Sequence, residues 1–363
     1  MQVMGFPRVY RQGKGAFDTL GQTIGEFGTH ALVVSDAFVR TLLGARLEES
    51  ACKAGIRLTY AAFGGECSPE AIERATRDAA GAGCDVVVGI GGGKVLDLAK
   101  AVTIDHRVPV VVVPTIASND SPTSRLAITY EQDGTFIGPR FMPCNPDAIV
   151  VDTRIIAEAP VRFFIAGIGD ALVTAFEAEE CRKSGAENFF GGEPTEAALC
   201  LSAHCHDLIR RYGAQAVADV RNRRVTAAVE KVVEANTLLS GLGFEGCGVA
   251  AAHAVGMAFS VIPELHGILH GEEVAVGLLT HLVIEGRDDG FLAEMLDFYA
   301  AVGLPRSLED LGLSPVLDSH LEKVATFAAR PKSRIHNMAR PVDADMVLNA
   351  LRRAESLATV RAG

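Results

Sequence analysis

The stretch Asp85–Val102, DVVVGIGGGKVLDLAKAV, decides the fold of the first half of the chain. Val86–Val88 and Ile90 form an apolar run with no polar face, the pattern of a strand covered on both sides. Gly89, Gly91, Gly92 and Gly93 then let the backbone approach a ligand closely, and the helix that follows turns free N–H groups toward it. A pyrophosphate fits that chemistry; a tight strand-to-helix turn with no ligand is the plain alternative. The turn is not a Walker A loop, because Val88 stands at its first glycine and Val95 at its Mg²⁺-binding hydroxyl. It is not G-x-G-x-x-G either, since Lys94 takes the last place.

The same alternation extends on both sides. HALVVSDAF ends a short apolar run at Ser35-Asp36. Asp36 is placed to accept a ribose 2′-OH and repel a 2′-phosphate, or simply to cap the next helix. SPEAIERATRDAAGAGC reads as a helix with Ser68 as N-cap and Pro69 at its first position. VPVVVVPTIAS and DAIVVDT are further buried strands. Apolar strands separated by amphipathic helices predict a parallel sheet. After about Pro160 the period changes from two to about 3.6, and helical patterns take over. We therefore expect an α/β, Rossmann-like parallel-sheet domain over 1–160, an all-α domain over 161–363, and a cleft between them for cofactor and substrate.

Composition excludes several classes of function. The 363 residues are 48% apolar and 22% charged, with a formal net charge of −11 and no basic stripe. Nucleic acid and anionic membranes are poor partners for such a surface. No apolar run reaches the length of a membrane span. The N-terminus has no secretory h-region, and the eight cysteines are scattered without a CxxC; we expect a cytoplasmic protein with free thiols.

Two further features carry chemistry. The segment Val113–Tyr130, VPTIASNDSPTSRLAITY, is a hydroxyl-rich loop with one carboxylate, Asp120, at the end of a buried strand. Asp170, His253 and His270 sit in otherwise small or apolar helical surroundings. One carboxylate and two imidazoles suit a borderline divalent ion with an open position. Taken singly, each has an ordinary explanation: a hydrogen-bonded core histidine at His253, a helix cap at His270, a buried capping group at Asp170. No short metal motif joins them. His204, Cys205 and His206 look metal-like, but consecutive helical residues face different ways, and only Cys200 and His204, four apart, could share a face.

FGGEC, GIGGGKVLDLAKA, PTIASNDSPTS, AGIGDALVTAFEA, EANTLLSGLGFE, AAHAV, HGEEVA and IHNM, in that order, resemble the glycerol dehydrogenases of the iron-containing alcohol dehydrogenase superfamily, which share their fold with dehydroquinate synthase. The resemblance runs from about Tyr10 to the C-terminal helices. It implies that Asp170, His253 and His270 bind one catalytic divalent ion, zinc first, with iron or manganese as alternatives. It implies that Asp120 contacts substrate hydroxyls and that Thr115, Ser118, Ser124, Leu126 and Tyr130 line the nicotinamide half of NAD. Gly92, Gly93, Lys94 and Asp97 would hold the pyrophosphate region, with Asp36 at the adenosine ribose. Asp120 and His253 are the catalytic candidates, a small alcohol or polyol is the substrate class, and a homo-oligomer is expected.

The chain departs from that family at three places. The family's H-A-x-H-N-G is His253-Ala254-Val255-Gly256-Met257-Ala258 here, which predicts a roomier, more apolar site. Arg125 replaces a small residue; it would suit a substrate carboxylate or phosphate, or serve as a surface or subunit-contact arginine. Asn119 replaces a threonine. The first expectation is NAD- and metal-dependent oxidation of a vicinal diol, such as glycerol to dihydroxyacetone. The alternatives are a dehydrogenase or reductase of the same build acting on a 2-hydroxy acid, an aldehyde or an apolar alcohol, and a lyase of the dehydroquinate synthase kind.

Overall fold

The computed structural model describes residues 1–362. The chain forms two compact units, one of Gly5–Pro160 with Asp219–Gly241, the other of Met1–Met4, Val161–Ala218 and the residues from Leu242 onward.

The first unit is built on eight strands: β1 Val9–Gly13, β2 His30–Ser35, β3 Arg57–Ala62, β4 Val86–Gly91, β5 Val110–Pro114, β6 Leu126–Tyr130, β7 Phe136–Phe141 and β8 Ala148–Asp152. Six of them make a parallel sheet in the order β1-β8-β5-β4-β2-β3. β4, β5 and β8 are buried throughout and β2 up to Ser35, as their unbroken Val, Ile and Ala runs require. The chain leaves β2 toward β3, then returns past β2 to β4 and moves the other way to β5. That reversal makes a switch point between β2 and β4, where an open α/β sheet has its crevice at the strands' carboxyl ends. Asp36 and the glycine turn Gly91–Gly93 are the residues found there.

Local signals set the helix ends. Ser68 Oγ accepts Ala71 N–H, Pro69 opens the helix Pro69–Ala82, and Gly83 closes it in the left-handed conformation. Gly89 lets β4 and the helix Gly93–His106 pack closely, since a Cβ there would lie 2.7 Å from the Ala99 Cβ. β6 and β7 form a separate antiparallel hairpin.

Asp219–Gly241 belongs with this α/β unit. Gln12 Nε2 donates to the Glu230 carbonyl at 2.8 Å, Thr153 Oγ1 to the Glu230 carboxylate at 2.7 Å, and the Tyr10 and Thr237 hydroxyls pair at 2.9 Å. The polar side chains of the edge strand β1 thus bind a helical segment from much later in the chain.

In the second unit the helices Val161–Ser184, Ala251–Ala258 and His270–Glu285 pack at very short range, and glycines permit it. A Cβ on Gly271 would collide with the Ala166 carbonyl, one on Gly169 with the Gly271 carbonyl, and one on Gly277 with the Ala252 carbonyl. A separate apolar core, including Phe259, Leu265, Leu308, Val324, Ile335 and Leu351, fills the unit. No single helix among the described residues is long and apolar enough to cross a membrane, and all eight cysteines are free.

Candidate active site

The close packing of those helices brings Asp170, His253 and His270 together. His253 Nε2 and His270 Nε2 each lie 3.6 Å from Asp170 Oδ1, and one ligand atom from each residue falls within 4.8 Å of the other two. Ligands about 2.0–2.1 Å from a tetrahedral ion are separated by about 3.4 Å. The spacing and the N, N, O donor set therefore fit one divalent cation. Among the described residues no other group of three such side chains converges, so the Cys200–His206 stretch holds no second cluster.

Asp170 is buried and His253 nearly so, while His270 is two-fifths exposed, which leaves the cluster one open side. Glu177, two turns along the helix from Asp170, fixes His253. Its Oε2 takes the Nδ1 hydrogen at 2.5 Å, and its Oε1 accepts the backbone N–H groups of Ala250 and His253 at 2.9 Å each. That leaves Nε2 as the ring nitrogen turned to the cluster. Burial works against charge on His253, but Glu177 and Asp170 outweigh it and hold the ring well above its ordinary pKa. Burial likewise pulls Glu177 upward, and His253 overcomes it, so this carboxylate stays below its usual range. The protein around His270 lowers its basicity, opposed by Asp170 and reinforced by His253.

The three helical residues were open to ordinary readings singly; together their geometry favours a shared ligand. Nothing local in the sequence marks Glu177 as the partner of His253. Gly256 opens no room. It is buried against the next helix, where a Cβ would lie 3.1 Å from Val274 N, so the expectation of a roomier site is not met there. Met257, by contrast, exposes 37% of its surface, one turn along the helix from His253.

The cofactor candidates lie in the α/β unit. Gly92 caps the helix Gly93–His106 with extended backbone, and the polar loop lies on the turn: Ile116 packs at Gly92 and Asn119 at Gly93. Thr115 N–H donates to the Gly91 carbonyl at 3.0 Å. Lys94 pairs with Glu66 at 2.5 Å and sits 5.3 Å from the Tyr130 ring centroid. Asp97 is buried and accepts Ser121 Oγ at 3.1 Å; burial pushes its carboxyl up, against the pull of Lys100 and Ser121. Lys100, with no exposed surface, donates to the Ser121 and Leu126 carbonyls at 2.5 and 2.9 Å. Asp97 and Lys100 thus secure the loop from behind. Ser118 is half-buried on the loop, and Ser124 is buried with its hydroxyl 3.5 Å from the Ser121 carbonyl. Asp36 caps its helix by accepting Val39 N–H at 2.8 Å. Arg125 is folded back over the Phe141 ring at 5.3 Å and donates to the Met142 carbonyl at 3.1 Å, which favours its structural reading over capture of a substrate carboxylate.

The chain is similar to known proteins over nearly its whole length. The sequence profile described as iron-containing alcohol dehydrogenase matches residues 7–153. A glycerol dehydrogenase of Thermotoga maritima is 45% identical over 98% of this chain and 97% of its own. A glycolaldehyde reductase of Halobacterium salinarum is 39% identical over 97% of this chain and 96% of its own. The crystal structure of a probable glycerol dehydrogenase from Sinorhizobium meliloti 1021 superposes with a TM-score of 0.93 at 39% identity, covering 99% of this chain and all of that one.

Proposed function

Because the chain belongs to the glycerol dehydrogenase family of iron-containing alcohol dehydrogenases, we propose that it oxidises a small vicinal diol such as glycerol, using NAD and one divalent cation. The observation that carries this reading is the convergence of Asp170, His253 and His270. Zinc is the first assignment for two imidazoles and a carboxylate, with iron or manganese as alternatives. The bound cation supplies Lewis acidity that lowers the pKa of a hydroxyl, and the nicotinamide supplies the hydride acceptor.

The chain's own residues do the rest. Asp170, His253 and His270 hold the ion, with Glu177 fixing the orientation of the His253 ring. Asp120 accepts a second substrate hydroxyl. Gly92 and Gly93 admit the pyrophosphate at the start of a helix, where free N–H groups and the helix dipole favour an anion. Asp36 receives the adenosine ribose, and Thr115, Ser118, Ser124, Leu126 and Tyr130 line the nicotinamide half. The same site run in reverse reduces a hydroxyaldehyde or hydroxyketone, and the glycolaldehyde reductase among the relatives supports testing both directions.

The test is NADH formation against glycerol, 1,2-propanediol, lactate, 2-hydroxybutyrate and simple alcohols, with a chelator control. Diols are expected to give the highest kcat/KM, and the chelator to abolish it. Preference for hydroxy acids would overturn the diol assignment, and turnover in full without metal would overturn the cation.

A further inference from the structure

The segment EANTLLSG has no part in the function as described, yet it has unusual geometry. Ala235–Leu239 is π-helical, between the α-helical Ala227–Glu234 and the α-helical Ser240–Cys247. Single π turns inside α-helices recur at functional sites, and each has to be maintained against the better α geometry. Here the turn and the first two residues of the helix after it meet the Asp120 loop at four places. Asn236 Nδ2 donates to the Ala117 carbonyl at 3.2 Å. The Thr237 carbonyl accepts Thr123 Oγ1 at 2.5 Å. Ser240 Oγ, fully buried, donates to Asp120 Oδ2 at 2.7 Å. Gly241 lies so close to the loop that a Cβ there would sit 2.6 Å from the Thr123 Cβ and 3.2 Å from the Asp120 carbonyl.

We infer that this π turn is a cradle that sets the Asp120 carboxylate, with Ser240 as the positioning residue. The loop is held on either side of Asp120, at the Ala117 carbonyl by Asn236 and at the Thr123 hydroxyl by Thr237, and Ser240 donates to one carboxylate oxygen, which restricts rotation of the side chain. Gly241 permits the approach. The Asp120 carboxylate is then held in one orientation, as recognition of a diol's second hydroxyl requires. The inference rests on the reading of Asp120 as the diol contact.

The experiment compares S240A, D120A and the double variant, with G241A as a steric second probe. KM for the diol, KM for NAD, kcat, metal content and thermal midpoint are measured for each. S240A is expected to raise the diol KM roughly tenfold, as loss of a hydrogen bond to a charged group does. NAD KM, metal content and melting should hardly move. D120A should raise the diol KM further, and adding S240A to it should change nothing more, because Ser240 acts through Asp120. G241A should reproduce the S240A effect by displacing the loop. If D120A leaves the diol KM unchanged, the reading of Asp120 fails. If D120A raises it but S240A does not, or if S240A adds its full effect on the D120A background, the cradle is refuted while that reading stands. A parallel loss of NAD affinity, metal and melting temperature in S240A would reduce Ser240 to a structural role and equally refute it.

Discussion

The glycine turn of the α/β unit and the Asp170 cluster of the helical unit both depend on glycine, but in opposite ways. At Gly93 the absence of a side chain leaves space for a ligand: a Cβ there would meet only the Asn119 amide at 3.5 Å and Ser121 Cβ at 3.9 Å, which are ordinary contacts. At Gly169, Gly271 and Gly277 the absence of a side chain lets helices touch, and a Cβ would strike backbone. The first kind of glycine serves binding and costs the fold little to change. The second kind is part of the fold, and the metal-ligand spacing follows from it.

The largest expected effect comes from the ligands themselves. H270A should retain the fold of the α/β unit but lose its cation, and kcat/KM should fall by about 10³ or more, since the charge stabilisation removed is several kcal/mol. Metal analysis and steady-state kinetics check this, and a metal-replete active variant would sink the assignment. Next, G271A should cost about 3 kcal/mol or more, as severe overpacking against a carbonyl does, and lower both the thermal midpoint and metal retention. If it melts like the parent, the helices are not held at contact by this glycine.

E177Q tests orientation rather than ligation. Loss of the carboxylate at His253 Nδ1 should weaken metal affinity by about 10–100-fold with little change in NAD binding, read by competition with a chromophoric chelator. G93A is the counterpart of G271A: melting within about 1 kcal/mol of the parent, but NAD affinity clearly reduced because the Cβ fills the phosphate approach. Equal damage to stability from the two alanines would erase the contrast drawn above. The smallest effect is that of D36N. Asparagine caps a helix as well as aspartate does, so stability should be unchanged, while NAD KM rises a few-fold from the weaker bond to the ribose. An unchanged KM would leave Asp36 as a helix cap alone.

Legibility in the sequence divides along the same line. The Asp85–Val102 stretch is contiguous, and its strand, turn and helix follow from local rules, as do the Ser68 cap and the unbroken valines of β5. The edge strand β1, VYRQG, was not marked by any such pattern, because its side chains are half-exposed and polar. The return of Asp219–Gly241 to the α/β unit was hidden in a helical pattern, since what directs it is pairing by Gln12, Tyr10 and Thr153. The candidate metal residues are spread over a hundred positions, so spacing alone left them ambiguous and only the family resemblance grouped them. Glu177 and Ser240 act through contacts with residues 76 and 120 positions away, which no local motif encodes. Arg125 and Gly256 were visible as departures, but their neighbours Phe141 and Val274 decide what each does.

The central claim is that one cation held by Asp170, His253 and His270 enables NAD-linked oxidation of a diol. The most direct measurement strips the protein with a chelator and returns zinc stepwise, following bound metal and glycerol-dependent NADH formation together. The account predicts that activity vanishes on stripping, returns in proportion to bound zinc and saturates at one ion per chain, with H270A silent throughout. Full glycerol-dependent turnover by the stripped protein, or restoration of H270A to the parent's rate at one equivalent, would contradict it.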